Sequence, residues 1–337
     1  MRLLFRTALP GLCASLCCAG LLGLSSGSAA QATAKQAEAK QAVPFTVEVR
    51  FVGKVPSAAQ QATVRAAAAR VSKLIASPFV PVTLPGDAEA CDKGLPAVRG
   101  RVDHFFVFVR VLPLDEDLYA EAWPCDLHDG SYLPVYGAVS LNARGLGDLS
   151  AADLTDTMIH ETLHALGVGT LWEADARVSL SGASDERSLV TRSAGRFYYT
   201  GARGVAAYRA LGGRGDRIPL DADAGHWAGS TVCSEILSGD AGDYTGRVNP
   251  VSPITLGALE DLGYRVNRAA ASPYTLPLHG CGVQSAPAPA KATPPDRRPV
   301  SYASCAAVRA AGAAPLRRGD PGYRAGLDGD GDGLACE

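Results

Sequence analysis

The chain has 337 residues, and its 32 basic and 34 acidic side chains give a formal net charge of −2 at pH 7. Charges of both signs are spread along the chain, so it lacks the basic surface that binding to nucleic acid or to an acidic membrane requires. We therefore expect no nucleic-acid partner, and individual motifs must indicate the function.

The N-terminus has the features of a secretory signal peptide. Arg2 and Arg6 give a basic start, an apolar stretch follows, and residues 28–30 are small, as at a cleavage point. A membrane anchor is the competing interpretation, but the stretch is short and rich in glycine for a span. We expect residues 1–30 to be removed and residues 31–43 to form a lead-in. The mature chain would be secreted or held in the cell envelope, with no transmembrane segment.

Four secondary-structure elements are predicted before residue 150. Residues 45–52 predict a strand, and residues 57–75, rich in Ala with Val and Leu at helical spacing, predict a helix. Residues 105–112 are an apolar run typical of a buried strand, and residues 133–141 predict another strand. A helix follows them, and it carries the main motif of the chain.

This motif is His160-Glu161-Thr162-Leu163-His164. Residues four apart lie on one face of a helix, so both imidazoles can reach a single metal ion. Neutral imidazoles bind Zn²⁺ without cancelling its charge, and a carboxylate beside them can take a proton from water. The motif predicts one catalytic zinc ion held by His160 and His164, with Glu161 as general base. A buried helix whose histidines are only hydrogen-bonded is the competing interpretation.

The flanking sequence predicts the helix that this site needs. Ser150 and Asp153 have the spacing of an N-cap pair, and apolar residues then recur at helical intervals. Gly167 suits the left-handed position that ends a helix.

A catalytic zinc site usually has a third protein ligand. The compact form of this zinc motif, HExxHxxGxxH, would place that histidine at position 170, but the residue there is Thr170. His104 opens an apolar strand, and His128 and His279 lie among loop residues, so we expect none of these three to bind metal. His226 is distinguished by its setting, Gly-His-Trp.

Several segments occur in the order found in one peptidase family. They are residues 167–172 (GVGTLW), 199–202 (YTGA), 225–227 (GHW), 235–239 (EILSG), 252–264 (SPITLGALEDLGY) and 273–277 (PYTLP). Together with the HExxH motif, they resemble the leishmanolysin family of metzincin peptidases over residues 44–281. The resemblance implies that His226 is the third zinc ligand.

The resemblance also implies a fold and a substrate. It predicts an α+β, metzincin-like zincin with a twisted mixed sheet over the zinc helix, in a domain spanning residues 44–283. Residues 135–140 would be the sheet edge that lines the cleft, where an extended protein or peptide substrate can form main-chain hydrogen bonds. The activity implied is that of a secreted zinc endopeptidase. Tyr198, Tyr199 and Tyr264 are candidates for stabilising the oxyanion by residue type alone.

One position departs from the family. The turn beneath the metal has Met in the family, whereas this chain has Leu237 there and its only methionines are Met1 and Met158. Leu can fill the space of Met at modest cost. The alternative function is therefore a catalytically weak or inactive peptidase-like binding or adhesion protein, attached through its C-terminal tail.

Six cysteines remain after the signal peptide, and in an exported protein this even number indicates disulfides. Sequence alone leaves fifteen pairings open. We expect each cysteine to pair with one that is near in sequence and in the same predicted part of the chain. The three pairs favoured are Cys91 with Cys125, Cys233 with Cys281, and Cys305 with Cys336.

Residues 284–299 are rich in Ala and Pro and predict an extended linker. The segment that follows, residues 300–337, is too short to fold without a disulfide or a metal. Its aspartates at 328, 330 and 332 alternate with glycines, which is the opening half of a calcium loop. A disordered acidic tail is the competing interpretation.

The last ten residues have the pattern Asp-x-Asp-x-Asp-Gly-x-x-Cys-Glu. With it, residues 302–337 closely resemble the excalibur domain, a small extracellular calcium-binding unit. The resemblance implies that Ca²⁺ is bound by Asp328, Asp330, Asp332 and Glu337, and it predicts contact with the cell envelope through this tail.

Overall fold

The computed structural model describes residues 44–115, 118–239, 246–277, 305–310, 313–317, 327 and 334–336. The chain divides into two compact units, residues 1–281 and 282–337, and each is treated by itself. The predicted signal peptide, lead-in and linker lie outside the described residues. Among the described residues, no helix has the length and apolar character needed to cross a bilayer.

The first unit contains nine described strands and four α-helices. The strands are β1 (Val47–Phe51), β2 (Val82–Leu84), β3 (Gly100–Val102), β4 (Phe105–Leu112), β5 (Ala120–Leu127), β6 (Pro134–Asn142), β7 (Val190–Ser193), β8 (Arg196–Tyr199) and β9 (Ile218–Pro219). The helices are α1 (Ala58–Ser72), α2 (Ala151–Ala165), α3 (Ala202–Ala210) and α4 (Pro253–Leu262).

A four-stranded mixed sheet forms the centre of this unit, in the order β1-β4-β6-β5. Strands β1, β4 and β6 are parallel, and β5 runs antiparallel to β6. Strands β4 and β6 are buried along almost their whole length, as expected for parallel strands covered on both faces. The strand predicted at 105–112 has the predicted bounds, and the one predicted at 133–141 is displaced by one residue.

The edge of the sheet is not where we predicted it. Residues 135–140 lie in β6, which pairs with β4 on one side and with β5 on the other, so the prediction that they form the edge is wrong. The edge strands are β1 and β5, and the sequence predicts no strand at β5. Pro124 interrupts its pattern, and proline is tolerated in a sheet mainly at an edge because it has no N–H to donate.

Helix α2 carries the HExxH motif and begins and ends as predicted. Its N-cap Ser150 accepts a hydrogen bond from the N–H of Asp153 at 3.2 Å and donates to the carboxylate of the same residue at 2.6 Å. Gly167, just beyond the C-cap, has φ of +98°. These caps satisfy backbone groups at both ends of the helix.

Helix α2 packs against β5, β6 and helix α1. The helix approaches the sheet closely at Gly137 of β6, where a Cβ atom would lie 2.7 Å from the Cβ of Ala165. No side chain fits there, so glycine sets the distance between the motif-bearing helix and the sheet.

Helices α3 and α4 pack together beyond the central sheet. The carboxylate of Asp261 joins them: it accepts hydrogen bonds from the N–H groups of Arg203 and Gly204 and from the Tyr199 hydroxyl, at 2.9–3.0 Å. The Tyr199 ring in turn contacts the buried rings of Trp172 and Trp227, with centroids 4.7 and 5.2 Å away.

The disulfide predictions are met wherever the structure describes both partners. Cys91 is bonded to Cys125 of strand β5, with their Cα atoms 5.6 Å apart, and Cys305 is bonded to Cys336. Cys233 is also disulfide-bonded, and its predicted partner Cys281 lies outside the described residues.

The described part of the second unit is small. Helix α5 (Cys305–Ala310) and an antiparallel pair of short strands, β10 (Leu316–Arg317) and β11 (Leu334–Ala335), surround a few apolar side chains. Val308 and Ala335 are fully buried between them. The disulfide from Cys305 to Cys336 ties the start of this unit to its end.

Candidate metal centre

His160, His164 and His226 come together, although 62 to 66 residues separate the first two from the third. Their three Nε2 atoms form a triangle with sides of 3.0, 3.0 and 3.1 Å. Among the described residues, they form a group able to hold a metal ion, as the HExxH motif requires.

The other ring nitrogen of each histidine faces an oxygen acceptor. Nδ1 of His160 lies 2.6 Å from the carbonyl oxygen of Ile236, and Nδ1 of His164 lies 2.8 Å from that of Val168. Nδ1 of His226 lies 2.6 Å from a carboxylate oxygen of Asp223. Each Nδ1 is therefore placed to donate its proton to that oxygen, and in a neutral ring this leaves an unshared electron pair on Nε2.

The surroundings of His160 and His164 favour their neutral forms. Burial, with a further contribution from His226, lowers the pKa of His160 to about 4. Burial and both neighbouring imidazoles lower the pKa of His164 well below its usual value. Neutral imidazoles are the form that binds metal.

The triangle fits a zinc ion. Nitrogens 3.0–3.1 Å apart can all lie about 2.0–2.1 Å from one ion beside their plane, as zinc–nitrogen bonds require. Three electron pairs that converge without a proton between them repel one another, and a cation removes this repulsion. The second nitrogen of each ring is already bonded, which is the usual outer shell of a metal-binding histidine.

Glu161 follows the first ligand on helix α2 and lines the same cleft as the histidines. Its side chain is buried, with 7% of its surface exposed. Burial, together with the nearby charge of Glu121, raises the pKa of Glu161 to about 8. The carboxyl group thus lines the same cleft as the triad and is near the charge of Glu121 in the edge strand β5.

The turn beneath the triad contains Leu237, the residue at the Met position. Leu237 is fully buried, its N–H donates to Glu235 at 2.8 Å, and its carbonyl accepts from the N–H of Trp227 at 2.9 Å. The preceding carbonyl, that of Ile236, is the acceptor for His160. Leu is therefore accommodated in this turn. The backbone of the turn contacts His160 and also Trp227, the residue after His226.

Gly169 brings two parts of the site close together. It has φ of +83°, and a Cβ atom there would collide with the Gly225 carbonyl and lie 3.0 Å from the His164 ring. A side chain at this position would clash with the loop that carries His226 and would crowd the His164 ring.

A cleft of about 550 Å³ lies over the triad. Besides residues of helix α2, it is lined by residues 118–122, at and just before the start of edge strand β5, and by Asp221, Asp223, Gly225, His226 and residues 238–239. Its carboxylates are those of Glu121, Asp156, Glu161, Asp221 and Asp223, and among the described residues that line it there is no Lys or Arg. The cleft is acidic although the whole chain is nearly neutral.

The remaining histidines lie away from this cleft where they are described. His104 is hydrogen-bonded to Asp103 and Glu48 at the surface, and the ring of His128 packs against Phe79 with centroids 5.3 Å apart. Neither side chain belongs to the histidine triad. His279 lies outside the described residues.

The three tyrosine candidates for the oxyanion are not among the cleft-lining residues. The hydroxyl of Tyr264 donates to the Leu166 carbonyl, that of Tyr199 donates to Asp261, and the ring of Tyr198 stacks under Arg217. The tyrosine that does line the cleft is Tyr119, just before β5.

Sequence reasoning also missed Asp223, which is hydrogen-bonded to His226, and Glu235, which is hydrogen-bonded to Leu237 in the neighbouring turn. Asp223 lies three residues before His226, in a loop with no periodic pattern, so only its spacing from the histidine could have pointed to it. Glu235 was part of the family pattern but had no assigned role.

Comparison with known families identifies the C-terminal segment. Residues 302–337 match the Excalibur calcium-binding domain. The match confirms the Excalibur prediction for this segment, and the disulfide from Cys305 to Cys336 lies within the Excalibur domain. Its predicted calcium ligands, Asp328, Asp330, Asp332 and Glu337, lie outside the described residues. No curated protein matches the chain significantly.

Proposed function

We propose that residues 44–281 form a zinc-dependent endopeptidase of the leishmanolysin-like metzincin type. The observation that carries the proposal is the convergence of three Nε2 atoms, 3.0–3.1 Å apart, beside a buried glutamate in an open cleft. Such a set of histidines with a free side toward solvent is typical of catalytic rather than structural zinc.

The substrate would be an extended segment of protein. Strand β5 pairs with β6 along one side, and its first residues line the cleft. An edge strand offers main-chain N–H and C=O groups, to which an extended peptide can add as a further strand. The disulfide from Cys91 to Cys125 holds this strand to the body of the unit.

Each residue would have a defined task in hydrolysis. His160, His164 and His226 would hold zinc, which supplies Lewis acidity toward the peptide carbonyl and the attacking water when bound. With zinc bound, the nearby positive charge would favour the carboxylate form of Glu161. This carboxylate would accept a proton from the water and later donate it to the leaving amine nitrogen. Asp223 and the carbonyls of Ile236 and Val168 would keep the rings oriented.

We place the protein outside the cytoplasm. The Excalibur domain is found in extracellular proteins, and the disulfides are of the kind that persist in oxidising compartments. The Excalibur domain would bind Ca²⁺ and hold the peptidase unit at the cell envelope.

Metal removal and restoration tests the peptidase assignment. The mature chain is purified, its zinc content is measured, and casein hydrolysis is followed before and after treatment with a zinc-selective chelator. We expect one zinc ion per chain, loss of hydrolysis with the metal, and recovery on adding Zn²⁺ but not Ca²⁺. A chain that binds no zinc contradicts the proposal.

The alternative is a peptidase-like adhesion protein, which Leu237 and the Excalibur match favour. It predicts a zinc-loaded chain without casein hydrolysis. It also predicts cell binding that requires Ca²⁺ and is lost when residues 300–337 are deleted. Hydrolysis that is retained after this deletion favours the peptidase.

A further inference from the structure

Glu235 is a fully buried carboxylate in a polar network beneath the metal centre. None of its surface is exposed. One of its oxygens accepts hydrogen bonds from the N–H of Ser252 at 2.9 Å and from the hydroxyl of Thr255 at 2.6 Å. The other oxygen accepts from the N–H of Leu237 at 2.8 Å. The carboxylate therefore joins the turn 235–237 to the start of helix α4.

This network reaches the first ligand through one backbone group. Ile236 lies between Glu235 and Leu237, and its N–H donates to the Pro250 carbonyl at 3.0 Å. The Ile236 carbonyl accepts the Nδ1 proton of His160 at 2.6 Å. Because Glu235 closes the turn around Ile236, it fixes the direction of this carbonyl and so the rotation of the His160 ring.

The same network reaches the third ligand through its neighbour, Trp227. The Trp227 indole N–H donates at 3.0 Å to the Thr255 hydroxyl, which in turn donates to Glu235. The Trp227 backbone forms two hydrogen bonds with the segment 237–239. Its N–H donates to the Leu237 carbonyl, and its carbonyl accepts from the N–H of Gly239, each at 2.9 Å. The residue after His226 is thus held at both its backbone and its side chain.

A buried carboxylate is a costly way to hold two segments together. Removing a charged group from water costs free energy that an apolar residue at the same place would not cost. What a carboxylate adds is direction, because it accepts from several donors whose positions are then fixed relative to one another. At Glu235 those donors lie on the turn that orients one ligand and on the helix start that holds the neighbour of another.

We propose that Glu235 is a positioning residue of the metal centre, which sets the orientation of His160 and His226 together. The inference rests on the proposed function, since it assumes that the triad binds zinc. The inference adds Glu235 to the proposed zinc site as a residue that contacts neither metal nor substrate and acts through Ile236 and Trp227.

The experiment compares Glu235→Gln with wild type in the full mature chain. The amide of Gln must turn its NH₂ group toward either the Leu237 N–H or the donors Ser252 and Thr255, so one donor–donor contact replaces a hydrogen bond. Zinc affinity is measured by competition with a chromophoric chelator, the Co²⁺-substituted protein is examined by visible absorption, and the melting temperature is recorded.

Asp261→Asn is the matched control. Asp261 also accepts several hydrogen bonds from its surroundings, but those bonds join helices α3 and α4 and involve neither the turn 235–237 nor a triad histidine. Asp261→Asn thus disturbs a comparable set of hydrogen bonds, none of which is made by Glu235, Thr255 or Trp227, although the Tyr199 ring itself packs against Trp227. Thr255→Val is a second test variant, because it breaks the link from Trp227 to Glu235 while keeping the carboxylate.

We expect zinc affinity to fall about 10- to 100-fold in Glu235→Gln, as for other residues that orient metal ligands. The cobalt spectrum should change in Glu235→Gln and, to a smaller extent, in Thr255→Val. Asp261→Asn should lower the melting temperature and leave affinity and spectrum unchanged. Unchanged zinc affinity and an unchanged cobalt spectrum in Glu235→Gln overturn the positioning role. If that variant does not fold, an unchanged cobalt spectrum in Thr255→Val overturns it. A wild-type chain that binds no zinc overturns the proposed function instead.

Discussion

The carboxylate of Asp223 accepts the Nδ1 proton of His226 at a distance of 2.6 Å. The hydrogen bond from His226 is the main reason why the pKa of Asp223 falls to about 2. Asp223 is therefore charged throughout the physiological range, and it turns the His226 ring so that Nε2 faces the other two histidines.

Removing this carboxylate should weaken metal binding without unfolding the chain. In Asp223→Ala, the ring of His226 loses its anchor, so we expect zinc affinity to fall by about 10- to 100-fold. Asp223→Asn should have a smaller effect, because the amide oxygen can still accept from Nδ1. Affinity is measured by chelator competition, with Asp87→Ala, at an exposed loop position, as the control. Equal affinities in Asp223→Ala and Asp87→Ala rule out this role for Asp223.

Gly169 offers a test of packing around the His164 ring. Gly169→Ala places a methyl group against the Gly225 carbonyl and the ring, whereas Gly182→Ala has a similar φ of +79° and no atom within 4 Å. Both variants should lose about 1–3 kcal/mol of stability from the left-handed backbone. Only Gly169→Ala should also lose zinc affinity. Stability is measured by denaturant unfolding, and equal zinc affinity in the two variants contradicts the prediction.

The identity of the third ligand can be tested by metal content. We expect zinc to be retained through dialysis in His104→Ala and His128→Ala, whose side chains lie away from the triad, and to be lost in His226→Ala. All three variants are compared by elemental analysis after their folding has been checked by circular dichroism. Normal zinc content in His226→Ala means that the assignment of the third ligand is wrong.

Part of this site could be read from the sequence, and part could not. The caps at Ser150 and Gly167 are local signals, so the motif-bearing helix was predictable with its bounds. The acceptors for His160 and His164 are backbone carbonyls. Every residue has such a carbonyl, so residue type could not identify these acceptors. His226 lies far along the chain, and only an ordered set of family segments pointed to it.

The sheet edge shows the same limit. The apolar run of β4 reports burial on both faces, and burial is visible in residue type. Whether a strand has one neighbour or two depends on pairing across the chain, so β5 and β6 could not be ranked as edge and interior. Pro124 carried the one local clue, since proline disfavours an interior strand.

The Excalibur domain should bind calcium independently of the zinc site. Asp328, Asp330, Asp332 and Glu337 place four negative charges within ten residues, and a cation offsets their repulsion when they converge. We expect Asp330→Ala to abolish calcium binding by calorimetry on the full mature chain while zinc content stays unchanged. Zinc loss in this variant, or undiminished calcium binding, contradicts this division of tasks.

The most direct test of the account is Glu161→Gln, measured for zinc content and for casein hydrolysis in the same preparation. The substitution removes the base and keeps His160, His164 and His226, so zinc should remain at one ion per chain. Hydrolysis should fall by a factor of at least about 10² to 10⁴, the usual contribution of a general acid or base. Hydrolysis at the wild-type rate in a zinc-loaded Glu161→Gln chain would contradict the central claim.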